Sequence, residues 1–342
     1  MVFLSLLLLE IMLRTIGFYE TYMEKTQEKY ISYYNKSHEG HLWTKSKNDT
    51  FYNNREEFQF KYTTNSLGLR EKGTFQYAND SVKRVITLGD SYTEGQGAQY
   101  DSTWPRILED ILNQKKHSFE IYNAAVAGSD VFYNYMLLKR ELLQYKPDIV
   151  ILAVNSSDLT DYVYRGGMKR FQPNNKTINR EGPKWEIFYE HSHLFRAFMH
   201  DILSYNFTLV TQERFRKLKS SAVRDMRTVI DSFQKKARSY DYKFFTIIHP
   251  SPAGMKNSKK PEQNNRYKYL DTLDNMLSNI DIKSESIWEP MHEIIGKDKE
   301  YKYSWPTDGH YNAKGYKVMG EIIYRKVAPY IAERDTAKKL PG

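Results

Sequence analysis

The stretch Val82 to Gly97, VKRVITLGDSYTEGQG, decides how the chain folds. Val85, Ile86, Thr87 and Leu88 form a short apolar, partly β-branched run, which reads as a buried strand. The run stops at Gly89-Asp90-Ser91, and Gly95 and Gly97 follow. A serine on a tight glycine turn, at the carboxyl end of a central parallel strand, has its hydroxyl held in the open. Open α/β sheets place their active sites at that edge. Taken alone, the stretch fits an ordinary strand end with a serine cap equally well, because short glycine–serine turns are common.

A second stretch lies far downstream. Trp305-Pro306-Thr307-Asp308-Gly309-His310 is followed by Asn312 and a long amphipathic pattern. An acid and a histidine two residues apart, just before a helix, suit the base end of a serine nucleophile system. His310 would take the proton of Ser91, and Asp308 would fix the histidine tautomer and stabilise the imidazolium. The competing reading is a polar loop with Asp308 as a turn residue. Together the two stretches resemble the SGNH/GDSL hydrolase superfamily, with Gly89-Asp90-Ser91 as its first block and Asp308-x-His310 as its last. The resemblance implies an α/β fold, a three-layer α/β/α sandwich around a central parallel, flavodoxin-like sheet. It also implies acyl transfer through a covalent acyl-serine at Ser91, with Asp308 and His310 completing the catalytic set.

The middle blocks are tested on the same basis. Phe119 to Gly128, FEIYNAAVAG, reads as a strand followed by the family's second-block glycine, Gly128, ahead of a helix capped by Ser129 or Asp130. Pro147 to Leu152, PDIVIL, is the next strand and ends in Ala153-Val154-Asn155-Ser156-Ser157-Asp158, where the family usually has Gly-x-Asn-Asp. Counted from Pro147, Ser157 falls where the family has its asparagine and Asn155 where it has glycine. The oxyanion donors implied are the backbone N–H groups of Ser91 and Gly128 with either the Ser157 hydroxyl or the Asn155 amide. The sequence leaves those two open. The resemblance runs from Asn65, in the segment Asn65-Ser66-Leu67-Gly68-Leu69-Arg70, through the last helix. That segment matches an N-x-x-G-x-R pattern of membrane-anchored members and is expected to lay an N-terminal extension across the catalytic domain.

Composition bounds the rest. The chain has 342 residues, 27% charged and 40% hydrophobic, which suits one large α/β domain with additions. The net charge of +9 permits an anionic partner, but the lysines are scattered and no nucleic-acid motif is present. There are no cysteines, which removes disulfides, thiolate metal sites and a cysteine nucleophile. No cofactor and no metal site is expected. The division read from the sequence is an N-terminal signal anchor or transmembrane helix over 1–20, an extension over 21–78, and a hydrolase domain over 79–335 with an insertion at 159–219.

Val2 to Phe18 is apolar apart from Ser5, Glu10, Arg14, Thr15 and Gly17, short of the roughly 20 residues of a clean span. An uncleaved anchor, a signal peptide and a buried helix all compete. The resemblance favours the anchor, which would make the membrane a partner and place the catalytic domain outside the cytoplasm. From Val82 onward strand and helix patterns alternate, which predicts a parallel sheet with crossover helices. Leu159 to Lys219 interrupts that alternation and reads as a lid or substrate wall. Its His191, His193 and His200 are expected on the surface, since His191 and His193 point to different faces of a helix. The function expected is a serine esterase acting on O-acyl or O-acetyl groups, with envelope or exported carbohydrate as the carrier that the resemblance suggests. An O-acyltransferase of the same fold and a non-catalytic glycan-binding or scaffold member are the alternatives. A long-chain lipase is a weaker reading, because no apolar lid stretch is seen.

Overall fold

The computed structural model describes residues 2–21, 24, 37–39, 42, 44–76, 81–114, 118–173, 176–178, 183–256, 268–280, 282–298 and 300–337. Its contacts divide the chain into two compact units, Met1–His41 with Leu159–Ala222, and Leu42–Asp158 with Val223–Gly342. Nine strands occur among the described residues: β1 (Ser37–Glu39), β2 (Thr50–Asn54), β3 (Gln59–Thr63), β4 (Lys83–Leu88), β5 (Phe119–Asn123), β6 (Ile149–Val154), β7 (Lys176–Ile178), β8 (Lys243–Ile248) and β9 (Ser284–Ser286).

In the larger unit β4, β5, β6, β8 and β9 form one parallel sheet in the order β5-β4-β6-β8-β9. The sheet's second strand, β5, thus lies on one side of its first, β4, and its third, β6, on the other. This is the flavodoxin-like order, and it makes a topological switch point beside the carboxyl end of β4, where such sheets hold their sites. The interior strands are buried almost along their whole length, and β6, IVILAV, is apolar and buried at all six residues. That continuous run is what a parallel sheet covered on both faces requires. The three strands read from the sequence are present as β4, β5 and β6, each within a residue or two of its expected bounds.

The helices follow their apolar spacing. Trp104–Gln114 buries Leu108 and Leu112. The last helix, Ala313–Ala337, buries Tyr316, Met319, Ile323 and Val327. The two approach closely at Gly320, where a Cβ would lie 2.8 Å from the Ile107 side chain. Gln212–Tyr240 buries Val223, Met226, Ile230, Phe233 and Ala237, as its spacing predicts. The final helix continues to Ala337, through the first residues of the expected polar tail. Lys268–Ser278 buries Leu270, Leu273 and Leu277. After Gly128, helix Val131–Leu137 passes into a π-helical turn, Leu138–Leu142.

The polar extension holds more structure than its composition suggests. β2 and β3 pair as an antiparallel hairpin, and Phe60 and Tyr62 point inward while Gln59 and Lys61 face solvent. Phe58, Phe60 and Tyr62 make a small core with Phe51 and Trp305 packed on it.

The smaller unit gives the expected anchor over 1–20 no support. Its first helix, Val2–Thr15, has 14 residues. That is about 21 Å of helix against a hydrocarbon core of about 30 Å. Among the described residues no helix is long and apolar enough to cross a membrane. Glu10, an anomaly in an apolar run, has partners. Its carboxylate accepts from Ser192 Oγ and from the backbone N–H of His193 and Leu194, and pairs with Arg14 at 2.9 Å. Burial pushes its pKa up, but these hydrogen bonds outweigh burial and lower it to about 2. Arg196 is fully buried and bidentate on Glu24, at 2.6 and 2.8 Å. Of the histidines expected on the surface, His191 is exposed, but His193 is buried because its ring is held by partners within the unit. His193 Nδ1 lies 2.6 Å from Phe18 O, and both ring nitrogens of His200 meet partners, Tyr189 Oη and Tyr205 O. Among the described residues no cluster could hold a metal ion.

Candidate active site

The turn after β4 is built so that only glycine fits at its first position. A Cβ on Gly89 would stand 2.3 Å from Thr93 Oγ1 and 3.2 Å from Ala153 O. Asp90 then caps a single helical turn, Ser91–Glu94, its Oδ1 accepting from Tyr92 N at 3.0 Å. Ser91 is the first residue of that turn, and its N–H has no hydrogen-bond partner among the described residues. Ser91 Oγ lies 2.7 Å from His310 Nε2, and His310 Nδ1 lies 2.6 Å from Asp308 Oδ1. A carboxylate only accepts, so Nδ1 carries the proton and Nε2 presents a lone pair to the serine hydroxyl. The Asp308 side chain is 4% exposed. Burial pushes its pKa up, yet the hydrogen bonds and charge of His310, with the charge of Arg55, hold the carboxyl below its ordinary range.

The second-block loop is tied to the nucleophile turn. Gly89 O accepts from both Val126 N and Ser129 Oγ, at 3.2 and 2.9 Å. Ala127 N donates to Glu94 Oε1, a buried carboxylate that Lys45 neutralises at 2.7 Å. Gly128, with φ of 74°, follows on this loop.

The family model of the GDSL-like lipases and acylhydrolases matches residues 85–323, well over half of the chain. The chain belongs to that family. A curated relative, an arylesterase from Vibrio mimicus, is 24% identical over 102 residues, which is 30% of this chain and 47% of the relative. The match therefore spans about half the length of that relative. Among solved structures, the psychrotrophic esterase EstA from Pseudoalteromonas sp. is 14% identical with a TM-score of 0.43, covering 73% of this chain and 99% of that one. The acetyl xylan esterase AlAXEase is 13% identical with a TM-score of 0.43, covering 71% and 99%. Membership of the GDSL family supports an ester-hydrolysing enzyme.

As a GDSL-family chain, its unusual segment is the third block. Asn155 Nδ2 and Ser157 Oγ each donate to Asp90 Oδ2, at 2.8 Å in both cases. The hydroxyl of Ser157 has one proton, and Asp90 takes it. The other amide hydrogen of Asn155 faces His249 Nε2 at 3.5 Å. His249 is fully buried, and its Nδ1 must donate to Pro250 O at 3.1 Å, so Nε2 is an acceptor. Burial lowers the His249 pKa and outweighs the opposing charge of Asp90, which keeps the ring neutral. Both candidate side-chain donors are thus turned onto the first block in this arrangement, while Asp158 accepts from Asn155 N and Val131 N.

Arg70, from the N-x-x-G-x-R segment, is almost fully buried and donates to the carbonyls of Glu94, Gly95 and Ala98. Its guanidinium lies over the rings of Phe60 and Tyr62. The segment noted in the sequence therefore clips the end of the nucleophile turn. Sequence reasoning missed the Lys45–Glu94 pair and the carboxylate of Glu57, which meets the acid loop. Both act across dozens to hundreds of residues, and no local spacing announces them.

Proposed function

We propose that the chain is a serine esterase that cleaves short O-acyl esters through an acyl-serine. The observation that carries this reading is the continuous relay from Ser91 Oγ through His310 to Asp308, at 2.7 and 2.6 Å. Ser91 Oγ attacks the ester carbonyl as His310 Nε2 takes its proton. The oxyanion that forms meets the backbone N–H groups of Ser91 and Gly128. Asp308 keeps the imidazole in the tautomer that can accept, and then stabilises the imidazolium. Collapse expels the alcohol, which receives the proton from His310. A water deprotonated by His310 then cleaves the acyl-serine and releases the acid.

The purified full-length chain is expected to hydrolyse an aryl acetate, and Ser91→Ala to abolish this. A fluorophosphonate probe should label Ser91 alone. Hydrolysis that survives Ser91→Ala overturns the reading. Carbohydrate O-acyl groups as the natural substrate, a sugar hydroxyl as an alternative acyl acceptor, and a location outside the cytoplasm belong to the same proposal. They rest on likeness to the family and on a cysteine-free composition. Acetate release from an acetylated oligosaccharide, compared with transfer to an added glycan, separates hydrolase from transferase.

A further inference from the structure

The loop from Trp305 to His310 has five backbone N–H groups, since Pro306 has none. Each must find an acceptor or water. Three are satisfied inside the loop: Trp305 N donates to His310 O, Gly309 N to Trp305 O, and His310 N to Asp308 Oδ1. The other two, on Thr307 and Asp308, both donate to one carboxylate, that of Glu57. Thr307 N lies 2.9 and 3.0 Å from its two oxygens, and Asp308 N lies 2.7 Å from Oε2. Glu57 sits in the turn between β2 and β3, some 250 residues away in sequence. The turn is closed by Arg55 N donating to Phe58 O. Phe58 packs against the Trp305 ring at 5.3 Å, and Trp305 Nε1 donates to Gly97 O at 2.8 Å.

We infer that Glu57 is a positioning residue for the proposed reaction. The hairpin tip fixes the peptide that carries Asp308, and so fixes the bond from Asp308 to His310 Nδ1. The inference rests on the triad reading given above. Glu57 touches neither the nucleophile nor the base, and it acts by completing the hydrogen bonding of a loop that has no regular secondary structure of its own. A carboxylate suits this work because charged acceptors make shorter, stronger bonds to N–H groups and two oxygens can serve two adjacent donors. A displacement of about 1 Å at such a distance from the chemistry can cost about 100-fold.

The test compares full-length Glu57→Ala, Glu57→Gln and Ser91→Ala on an aryl acetate. Glu57→Ala is expected to lower kcat by about 10- to 100-fold with KM within about twofold, because positioning is lost and substrate contact is not. Glu57→Gln keeps one acceptor oxygen and should recover most of that loss. The low-field proton resonance of His310 Nδ1–H should move or broaden in Glu57→Ala and persist in Glu57→Gln. An unchanged kcat in Glu57→Ala overturns the inference, as does a loss matched by the fraction of unfolded protein or an unmoved proton resonance. If Glu57→Ala fails to fold, a Glu57→Gln enzyme with full kcat and a shifted Nδ1–H resonance likewise overturns it. Activity retained in Ser91→Ala would instead sink the triad reading itself. A dead Ser91→Ala beside a fully active Glu57→Ala would sink only the clamp.

Discussion

The two loops that meet at the candidate triad are held by different means. The Ser91 turn hangs from a buried strand, and its shape follows from adjacent residues: a glycine that tolerates no Cβ, an aspartate cap and one helical turn. The Asp308–His310 loop has no strand or helix under it. Its shape depends on Trp305, whose indole donates to Gly97 O, and on a carboxylate from a remote hairpin. The first loop takes its shape from adjacent residues and is clipped from outside by Arg70, while the second takes the acceptor for two of its N–H groups from a remote hairpin. The nucleophile turn should therefore resist distant substitutions other than at Arg70 better than the acid loop does.

The largest expected effect breaks the borrowed side. Asp308→Asn puts an amide beside His310 Nδ1 and favours the wrong tautomer. The expected loss in kcat is about 10,000-fold with little change in Tm, measured by steady-state kinetics and thermal unfolding. Next, Arg70→Met removes the donor that three carbonyls after the nucleophile turn share. Each buried acceptor left unpaired costs about 1–3 kcal/mol, so denaturant unfolding should show a clear loss of stability. A local turn that kept full stability without Arg70 would mean the first loop needs no outside support at all. Ser157→Ala sharpens the comparison at the third block. If the Ser157 hydroxyl keeps donating to Asp90 during the reaction, kcat should fall by less than about tenfold on its removal, whereas loss of an oxyanion donor costs about 100- to 1000-fold.

The smallest effect concerns stability against pH in the smaller unit. Glu10 and Glu24 have pKa values lowered from 4.5 to about 2 in the folded state. For Glu24 burial raises the value, and the Arg196 hydrogen bonds with those of Thr21 outweigh it. A depressed carboxylate contributes stability that is present above about pH 4.5 and is lost as pH falls toward 2. Glu10→Gln and Glu24→Gln should flatten that decline. Hydrogen exchange of amides in residues 186–202 measures it.

What the sequence made legible follows the same division. The parallel sheet, the Ser91 turn, Gly128 and the Asp308-x-His310 spacing were all readable, because strand runs, glycine turns and adjacent chemistry are local signals. Asn155 and Ser157 were readable as candidates but not in their orientation, since that depends on an Asp90 carboxylate 65 and 67 positions away. Glu57 was invisible, because nothing in Asn53-Asn54-Arg55-Glu56-Glu57 distinguishes a clamp from a solvated turn. The partners of Glu10 were hidden for a related reason, because Ser192, His193 and Leu194 lie more than 180 positions away and an apolar run does not announce them.

Gly89's carbonyl receives both Val126 N and Ser129 Oγ, so the strand-end turn and the opposite rim of the cleft form a single knot. A knot of this kind transmits any tug on one strand tip directly to the other. On the proposed reading, changes in acyl preference are then confined to residues that hang off the knot, because loosening it would displace the nucleophile turn and the second-block loop in one stroke.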